Sequence, residues 1–338
     1  RSDALYQLHF PTSLEQIKRA KWRYLIEKYL VANLASLVSA EQGKTLASAP
    51  ITPDYELVKQ FVTSLPFALT DDQRKAIWQI LETMKNDPLN CLLQGDVGSG
   101  KTVVALVVAL VVARQGGQVA LMAPTEILAN QHFQTAQQFL EPFGVKIALL
   151  TSALKKSAKQ QLYTQLQAGE IDLVIGTHAL IQSDVMFANL QLAIIDEQHR
   201  FGVLQRQALA EKAHLKPHLL SMTATPIPRS LALVLKNELK IISIRHKPAT
   251  RRPIQTTIIP KNKRALMFDD LRAQLDQGRQ GYVVCNLIEA SDESSRQSVE
   301  ATYQALAKGE LKNYRLATLH GKLKPDEKET IMRQFVAG

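Results

Sequence analysis

The chain has 338 residues, 46% of them hydrophobic and 21% charged. That is enough apolar material for more than one core, and it excludes a wholly disordered chain. Lysine plus arginine outnumber aspartate plus glutamate by 41 to 31, and the formal charge of +10 favours a polyanionic partner. The two cysteines, Cys91 and Cys285, stand far apart outside any CxxC, which excludes a disulfide-built scaffold and suits reduced thiols in a cytosolic protein.

Residues 13–40 are predicted as one long helix. Leu14, Ile17, Trp22, Leu25, Tyr29, Leu34 and Leu37 recur at steps of three to five, and Ser13 with Gln16 forms a candidate capping box. Lys18, Arg19, Lys21 and Arg23 make its first half basic, as a solvated face or a DNA-facing one. Gly43, Pro50 and Pro53 mark residues 41–65 as a loop with a short segment, hence a linker.

From Pro66 short β-rich runs alternate with helix-length segments. The candidate strands are Cys91–Gln94, Val119–Met122, Lys146–Leu150, Leu173–Ile175, Leu192–Ile195 and His218–Met222, and Ile241–Ile244 closes the region. This is the pattern of repeated βαβ units around a parallel sheet. A polar, proline-bounded stretch from Lys247 to Pro253 separates it from a second α/β segment. That segment has three strand candidates, Gln255–Ile259, Gly281–Cys285 and Arg315–Thr318, too few for a full sheet. The expected organisation is a linker helix region (1–65), a first α/β lobe (66–248) and part of a second (249–338). The longest apolar run, Val103–Ala113, is too short to span a bilayer, so no membrane partner is expected. The chain opens on Arg1 rather than Met and stops just past a periodic stretch, so it is expected to be an excerpt.

Gly95-Asp96-Val97-Gly98-Ser99-Gly100-Lys101-Thr102 matches G-x-x-x-x-G-K-[ST] between an apolar strand and an apolar helix. The glycines let successive N–H groups turn toward phosphate oxygens, and the helix N-terminus adds positive charge. Lys101 would reach the β- and γ-phosphates, and the Thr102 hydroxyl would ligate Mg²⁺. Leu192–Ile195 runs into Asp196-Glu197. Carboxylates at the C-terminal end of a buried strand face the ligand crevice of an open α/β sheet. Asp196 would hold the Mg²⁺ from the other side, and Glu197 would orient the attacking water.

Asp196-Glu197-Gln198-His199-Arg200-Phe201-Gly202-Val203 resembles motif II of superfamily 2 helicases, in the form of the RecG family of bacterial DNA helicases. Residues 94–102 are similar to motif I, and Phe67, Leu69, Thr70 and Gln73 to the adenine-reading segment. Ala123–Ala129 resembles motif Ia, Gly176-Thr177-His178 motif Ib and Met222–Arg229 motif III. Tyr282–Glu289 and Leu319–Lys322 resemble the first motifs of a second RecA-like lobe. Residues 8–38 are similar to the helix that joins the family's DNA-binding wedge domain to its motor.

The resemblance implies two RecA-like lobes, ATP and Mg²⁺ as cofactors, and branched or forked DNA as partner in recombination and repair. It implies an adenine site at Phe67, Thr70 and Gln73, and DNA-backbone contacts at Pro124, Thr125, Thr177 and His178. His199, Thr223 and Thr225 would relay nucleotide state to the DNA track. It places the protein in the bacterial cytoplasm, at the nucleoid, as a monomer. A wedge domain would precede residue 1, and motifs V and VI with their arginine fingers would follow Gly338. The stretch is therefore expected to bind nucleotide and hydrolyse it poorly. Arg206 is read as a local ion-pair partner, while Arg200 and Arg229 fit DNA contacts or ion pairs equally. The translocase of the transcription-repair coupling factor, a nucleotide-binding switch or scaffold module, and a small-molecule P-loop kinase are the alternative readings.

Overall fold

The computed structural model describes residues 2–43, 48–197, 209, 212, 215–225, 239–246, 254–285, 292–323 and 325–338. The chain divides into two compact units, Arg1–Arg251 and Arg252–Gly338.

The first unit begins with helices α1 (Ser2–His9) and α2 (Leu14–Gly43). The α2 cap is half of the expected box: Gln16 N donates to Ser13 Oγ at 3.3 Å, while the Gln16 side chain turns to Thr12. Trp22, Leu25, Ile26 and Leu30 of α2 are exposed. Among residues 48–65 there is more packing than the expected loop with a short segment implies. Helix α3 (Tyr55–Ser64) is capped by the Asp54 carboxylate, which accepts from Leu57 N at 3.0 Å. Ile51 and Phe61 are buried in the main core, at 1% and 0% exposure. The prolines that suggested a loop mark the entry to this packed segment, and apolar burial decides the outcome there.

Seven parallel strands follow: β1 (Asn90–Gly95), β2 (Gln118–Met122), β3 (Ile147–Leu150), β4 (Leu173–Gly176), β5 (Leu190–Ile195), β6 (His218–Thr223) and β7 (Lys240–Ile244). Their order in the sheet is β3-β4-β2-β5-β6-β1-β7. Every candidate strand of the first lobe forms, with ends moved by a residue or two. Helices α4 (Asp71–Asn86), α5 (Lys101–Arg114), α6 (Glu126–Leu140) and α7 (Lys156–Gln167) cover the sheet.

The two faces are legible in the burial. Val119, Leu121, Leu192 and Ile194 join one core cluster, while their neighbours Ala120, Met122, Ala193 and Ile195 join another. That is the period-2 alternation of strands buried on both faces. Helix α5 lies inside the first cluster, and Val103–Ala113 are buried without a break, so it is apolar all round.

Polar ties pin the sheet to its flanks. His218 Nδ1 accepts from Leu89 N at 3.0 Å and Nε2 donates to Ala49 O at 2.8 Å. Asp72 of α4 accepts from Arg245 N at 2.8 Å and His246 N at 2.9 Å, and these bonds hold its carboxyl down at about 2. Tyr55 donates to Glu82; burial first, then that carboxylate, pushes its hydroxyl up to about 12.

The second unit contains α8 (Arg264–Asp276), α9 (Asp292–Lys308) and α10 (Pro325–Ala337). Phe268, Leu306 and Leu311 form its small core. Tyr314 Oη donates to Asp276 at 2.6 Å, and Arg272 pairs with Asp269 and Glu310. The three strands expected here do not form: Gln255–Ile259, Gly281–Cys285 and Arg315–Thr318 carry no strand pairing. Ile258 and Val284 are 93% and 84% exposed. β-branched residues make a strand only where a neighbour completes the ladder and a layer covers the face.

Candidate nucleotide site and nucleic-acid edge

All the strands run parallel, so their C-terminal ends share one edge of the sheet. β6 lies between β1 and β5, with Gln94 beside Thr223 and Ile195 beside Ser221. Strands are about 4.8 Å apart, so the loop leaving β1 and the acidic pair leaving β5 emerge roughly 10 Å from each other. A metal–triphosphate fits between them.

The loop after β1 is sharply bent. Gly98 and Gly100 take φ of 74° and 81°, the left-handed region that favours glycine. Gly100 is the N-cap of α5, so the first N–H groups of an apolar, deeply buried helix open onto the loop. Lys101 Nζ donates to Gly95 O at 2.7 Å and Asp96 O at 3.2 Å. Burial pushes the Lys101 ammonium below the ordinary lysine range, while the charges of Asp196, Glu197 and Asp96 pull it back up. Lysine and acidic pair, 95 positions apart in sequence, thus belong to loops that leave the same edge of the sheet with one strand between them.

Asp196 is held at three points. Its N–H donates to Met122 O at 2.9 Å, Oδ1 accepts from Glu197 N at 3.0 Å, and Oδ2 lies 2.8 Å from His132 Nε2. Glu197 has φ of 52°, the one positive value at a non-glycine among the described residues. Such a backbone persists only where its surroundings impose it.

The residues fit a nucleotide with its magnesium. Ser99 Oγ is buried without a hydrogen-bond partner, and a Cβ on Gly95 would stand 2.4 Å from it, so the loop is a cradle closed to side chains. Among the described residues no three His, Cys, Asp or Glu side chains form a metal cage. One hydroxyl (Thr102) and one carboxylate (Asp196) suit a Mg²⁺ that keeps phosphate oxygens and waters as its other ligands.

Phe67 is 43% exposed and meets Phe139 edge-on at 6.3 Å. Thr70 and Gln73 form the reciprocal capping box of α4, with Thr70 N donating to Gln73 Oε1 at 2.7 Å. Gln73 Nε2 donates to Ser99 O at 2.8 Å. Gln73 is only 2% exposed and both ends of its amide are engaged, so an adenine edge would meet it only if the bond to Ser99 O were released.

Beyond β5 the same edge carries the residues expected to contact DNA. β2 and β4 are neighbours, and Ala123 N donates to Gly176 O at 2.8 Å, so Pro124-Thr125 and Thr177-His178 leave adjacent strands. Thr125 caps α6, its Oγ accepting from Leu128 N at 3.3 Å. Thr125 and His178 are exposed, whereas Pro124 and Thr177 are half-buried. At the end of β6, Thr223 Oγ accepts from Thr225 N at 3.2 Å and lies 3.0 Å from Thr225 Oγ. His199, Arg200, Arg206 and Arg229 lie outside the described residues.

Sequence reasoning missed two groups. Ser152, after β3, donates through N to Glu126 Oε1 at 3.0 Å and accepts at its carbonyl from Lys159 Nζ at 3.0 Å, tying that loop to the first turn of α6. His132 sits in the buried stripe Ala129–His132–Ala136–Leu140 of α6. A polar residue in such a stripe signals a partner, although the sequence does not say which one.

The DEAD/DEAH box helicase family matches residues 70–234. The ATP-dependent DNA helicase RecG of Synechocystis sp. (strain PCC 6803) is 42% identical over 335 residues, 98% of this chain and 40% of that protein. RecG of Thermotoga maritima is 40% identical over 99% of this chain and 43% of its own length. RecG of Bacillus subtilis is 41% identical over 99% of this chain and 49% of its own length. A solved structure of RecG bound to a three-way DNA junction superposes with a TM-score of 0.82 at 36% identity, covering 99% of this chain and 44% of that one. The DEAD-box helicase Mss116, at 16% identity and a TM-score of 0.61, shares the fold. The chain thus spans less than half the length of these three curated relatives. Motifs, parallel sheet and near-complete alignment agree, and the chain belongs to the RecG family of helicases.

Proposed function

We propose that this chain is the nucleotide-binding motor region of an ATP-dependent DNA helicase that remodels branched or forked DNA in recombination and repair. One observation carries the reading: the loop bearing Lys101 leaves β1 and the Asp196-Glu197 pair leaves β5 at the same edge of the sheet, with only β6 between them. The RecG relative seen on a three-way DNA junction supports the choice of substrate.

In this reading the N–H groups of Gly98, Gly100, Lys101 and Thr102 bind phosphate oxygens, those of Val97 and Ser99 would first turn away from Asp96, and Lys101 exchanges its two loop carbonyls for the β- and γ-phosphates. Thr102 and Asp196 would hold Mg²⁺, which neutralises phosphate charge when bound. Glu197 accepts a hydrogen bond from the attacking water and orients it. Phe67 offers an aromatic face to the adenine, whose edge Gln73 would meet by exchanging its bond to Ser99 O. Pro124, Thr125, Thr177 and His178 lie along the DNA backbone, where contacts position the duplex without reading its bases. Thr223 and Thr225, bonded to each other beside the phosphate loop, link the nucleotide edge to that track.

ATP hydrolysis by the protein carrying this chain, measured with and without branched DNA, tests the proposal. Hydrolysis should rise with DNA and fall at least about a hundredfold in Lys101→Ala and Glu197→Gln, as loss of a charge-stabilising group does elsewhere. Hydrolysis indifferent to both substitutions would refute it.

A further inference from the structure

The family motifs give no role to His132. It lies in α6, seven residues past the Thr125 cap, on the face turned toward the sheet. Its Nε2 stands 2.8 Å from Asp196 Oδ2, and the two side chains are only 10% and 13% exposed. A metal-binding carboxylate accepts and does not donate, so the hydrogen between them belongs to His132. Asp196 Oδ1 is already fixed by the N–H of Glu197 at 3.0 Å. With one donor on each oxygen, the carboxylate plane has a single orientation, and each oxygen keeps lone-pair capacity. The backbone on either side is fixed as well, by the Asp196 N–H bond to Met122 O and by the positive φ of Glu197.

We propose that His132 is a positioning residue for the magnesium site: it holds the Asp196 carboxylate in the orientation that binds the metal of a bound Mg–nucleotide. The inference rests on the nucleotide site proposed above and adds to it a residue outside the phosphate loop and the acidic pair. Groups that hydrogen-bond to a metal ligand set its direction and its affinity. His132 would touch neither the metal nor the phosphates. Its loss should therefore weaken the metal's contribution to nucleotide binding and leave binding of the metal-free nucleotide alone.

The test is equilibrium binding of a fluorescent ATP analogue to the 338-residue chain, once in excess Mg²⁺ and once in EDTA. The Kd in EDTA divided by the Kd in Mg²⁺ isolates the metal's contribution. In His132→Ala the ratio should fall about 10- to 100-fold, the usual cost of losing such a partner, with the EDTA value within about twofold of wild type. His132→Gln places an amide nitrogen near the position of Nε2 and should restore the ratio to within about threefold. His132→Asn is polar but shorter, and should behave like the alanine variant. If His132→Ala does not fold, the Gln and Asn pair decides the matter alone.

A ratio unchanged in Ala and Asn overturns the inference, as does an equal loss with and without metal, which would mark a merely structural residue. Lys101→Ala is the control for the underlying site. If it binds nucleotide as well as wild type does, the nucleotide site itself is wrong. If it loses binding while the His132 variants match wild type, only the role of His132 falls.

Discussion

Gln73 Nε2 donates to Ser99 O at 2.8 Å, so one buried side chain both caps α4 and braces the phosphate loop. Removing it costs the reciprocal cap and the brace together. Gln73→Ala should weaken nucleotide binding about 5- to 30-fold, equivalent to roughly 1–2 kcal/mol for the lost hydrogen bonds. Titration with a fluorescent ATP analogue measures this, and unchanged affinity would show that the loop does not depend on α4.

The same contact makes Gly100 intolerant of a side chain. A Cβ there would lie 2.2 Å from Gln73 Nε2, on a backbone whose φ is +81°. Gly100→Ala should lose about 1–3 kcal/mol of stability to backbone strain and should displace the Gln73 brace as well. Gly116 has nearly the same φ, +79°, but no neighbour within 4 Å. Gly116→Ala should therefore show a comparable loss of stability with nucleotide binding intact. Thermal melts together with binding curves separate the two effects.

His218 gives the fold a pH dependence whose sign follows from its surroundings. Burial pushes its pKa below the ordinary 6.5, and the hydrogen bond to Ala49 O pulls it partly back. As pH falls through about 6.5 the unfolded chain gains this proton while the folded ring stays neutral, its Nδ1 accepting from Leu89 N. The unfolded state then binds more protons, so His218 contributes a loss of stability below about pH 6.5 and no slope above it. His218→Phe should lack this contribution, and should be less stable near neutral pH by roughly 1–3 kcal/mol because Leu89 N loses its acceptor. Urea melts across that range give both quantities; identical slopes in the two proteins would contradict the assignment.

Phe61 tests the packing of the segment before the first lobe. It is fully buried beside Phe143, with ring centroids 5.5 Å apart. Phe61→Ala should cost about 3–5 kcal/mol, the usual range for a buried aromatic. A loss below about 1 kcal/mol in denaturant melts would mean that residues 51–65 are dispensable to the core.

The sequence made the first lobe readable because its strands are buried on both faces. Leu92, Val119–Met122 and Leu192–Ile195 form uninterrupted apolar runs, and the loop Gly95–Thr102 stands at a strand-to-helix junction. Lys101 and Asp196 could be picked out as candidates because one opens the helix after such a strand and the other directly follows one. Burial of 51–65 was not legible, since Pro50, Pro53 and Asp54 resemble a loop until Ile51 and Phe61 find the α4–α5 surface. The segments 255–259, 281–285 and 315–318 were misread because a short apolar or β-branched run says nothing about whether a partner strand is present. His132 escaped because its meaning lies in Asp196, 64 residues away.

The convergence of Lys101 with the acidic pair is tested most directly by a crystal structure of the chain grown with Mg²⁺ and a non-hydrolysable ATP analogue. The triphosphate should lie over Gly95–Thr102 with Lys101 Nζ on the β- and γ-phosphates, and one metal should stand between the Thr102 hydroxyl and Asp196, directly or through its water shell. A nucleotide seated elsewhere, or a metal remote from Asp196, would contradict it.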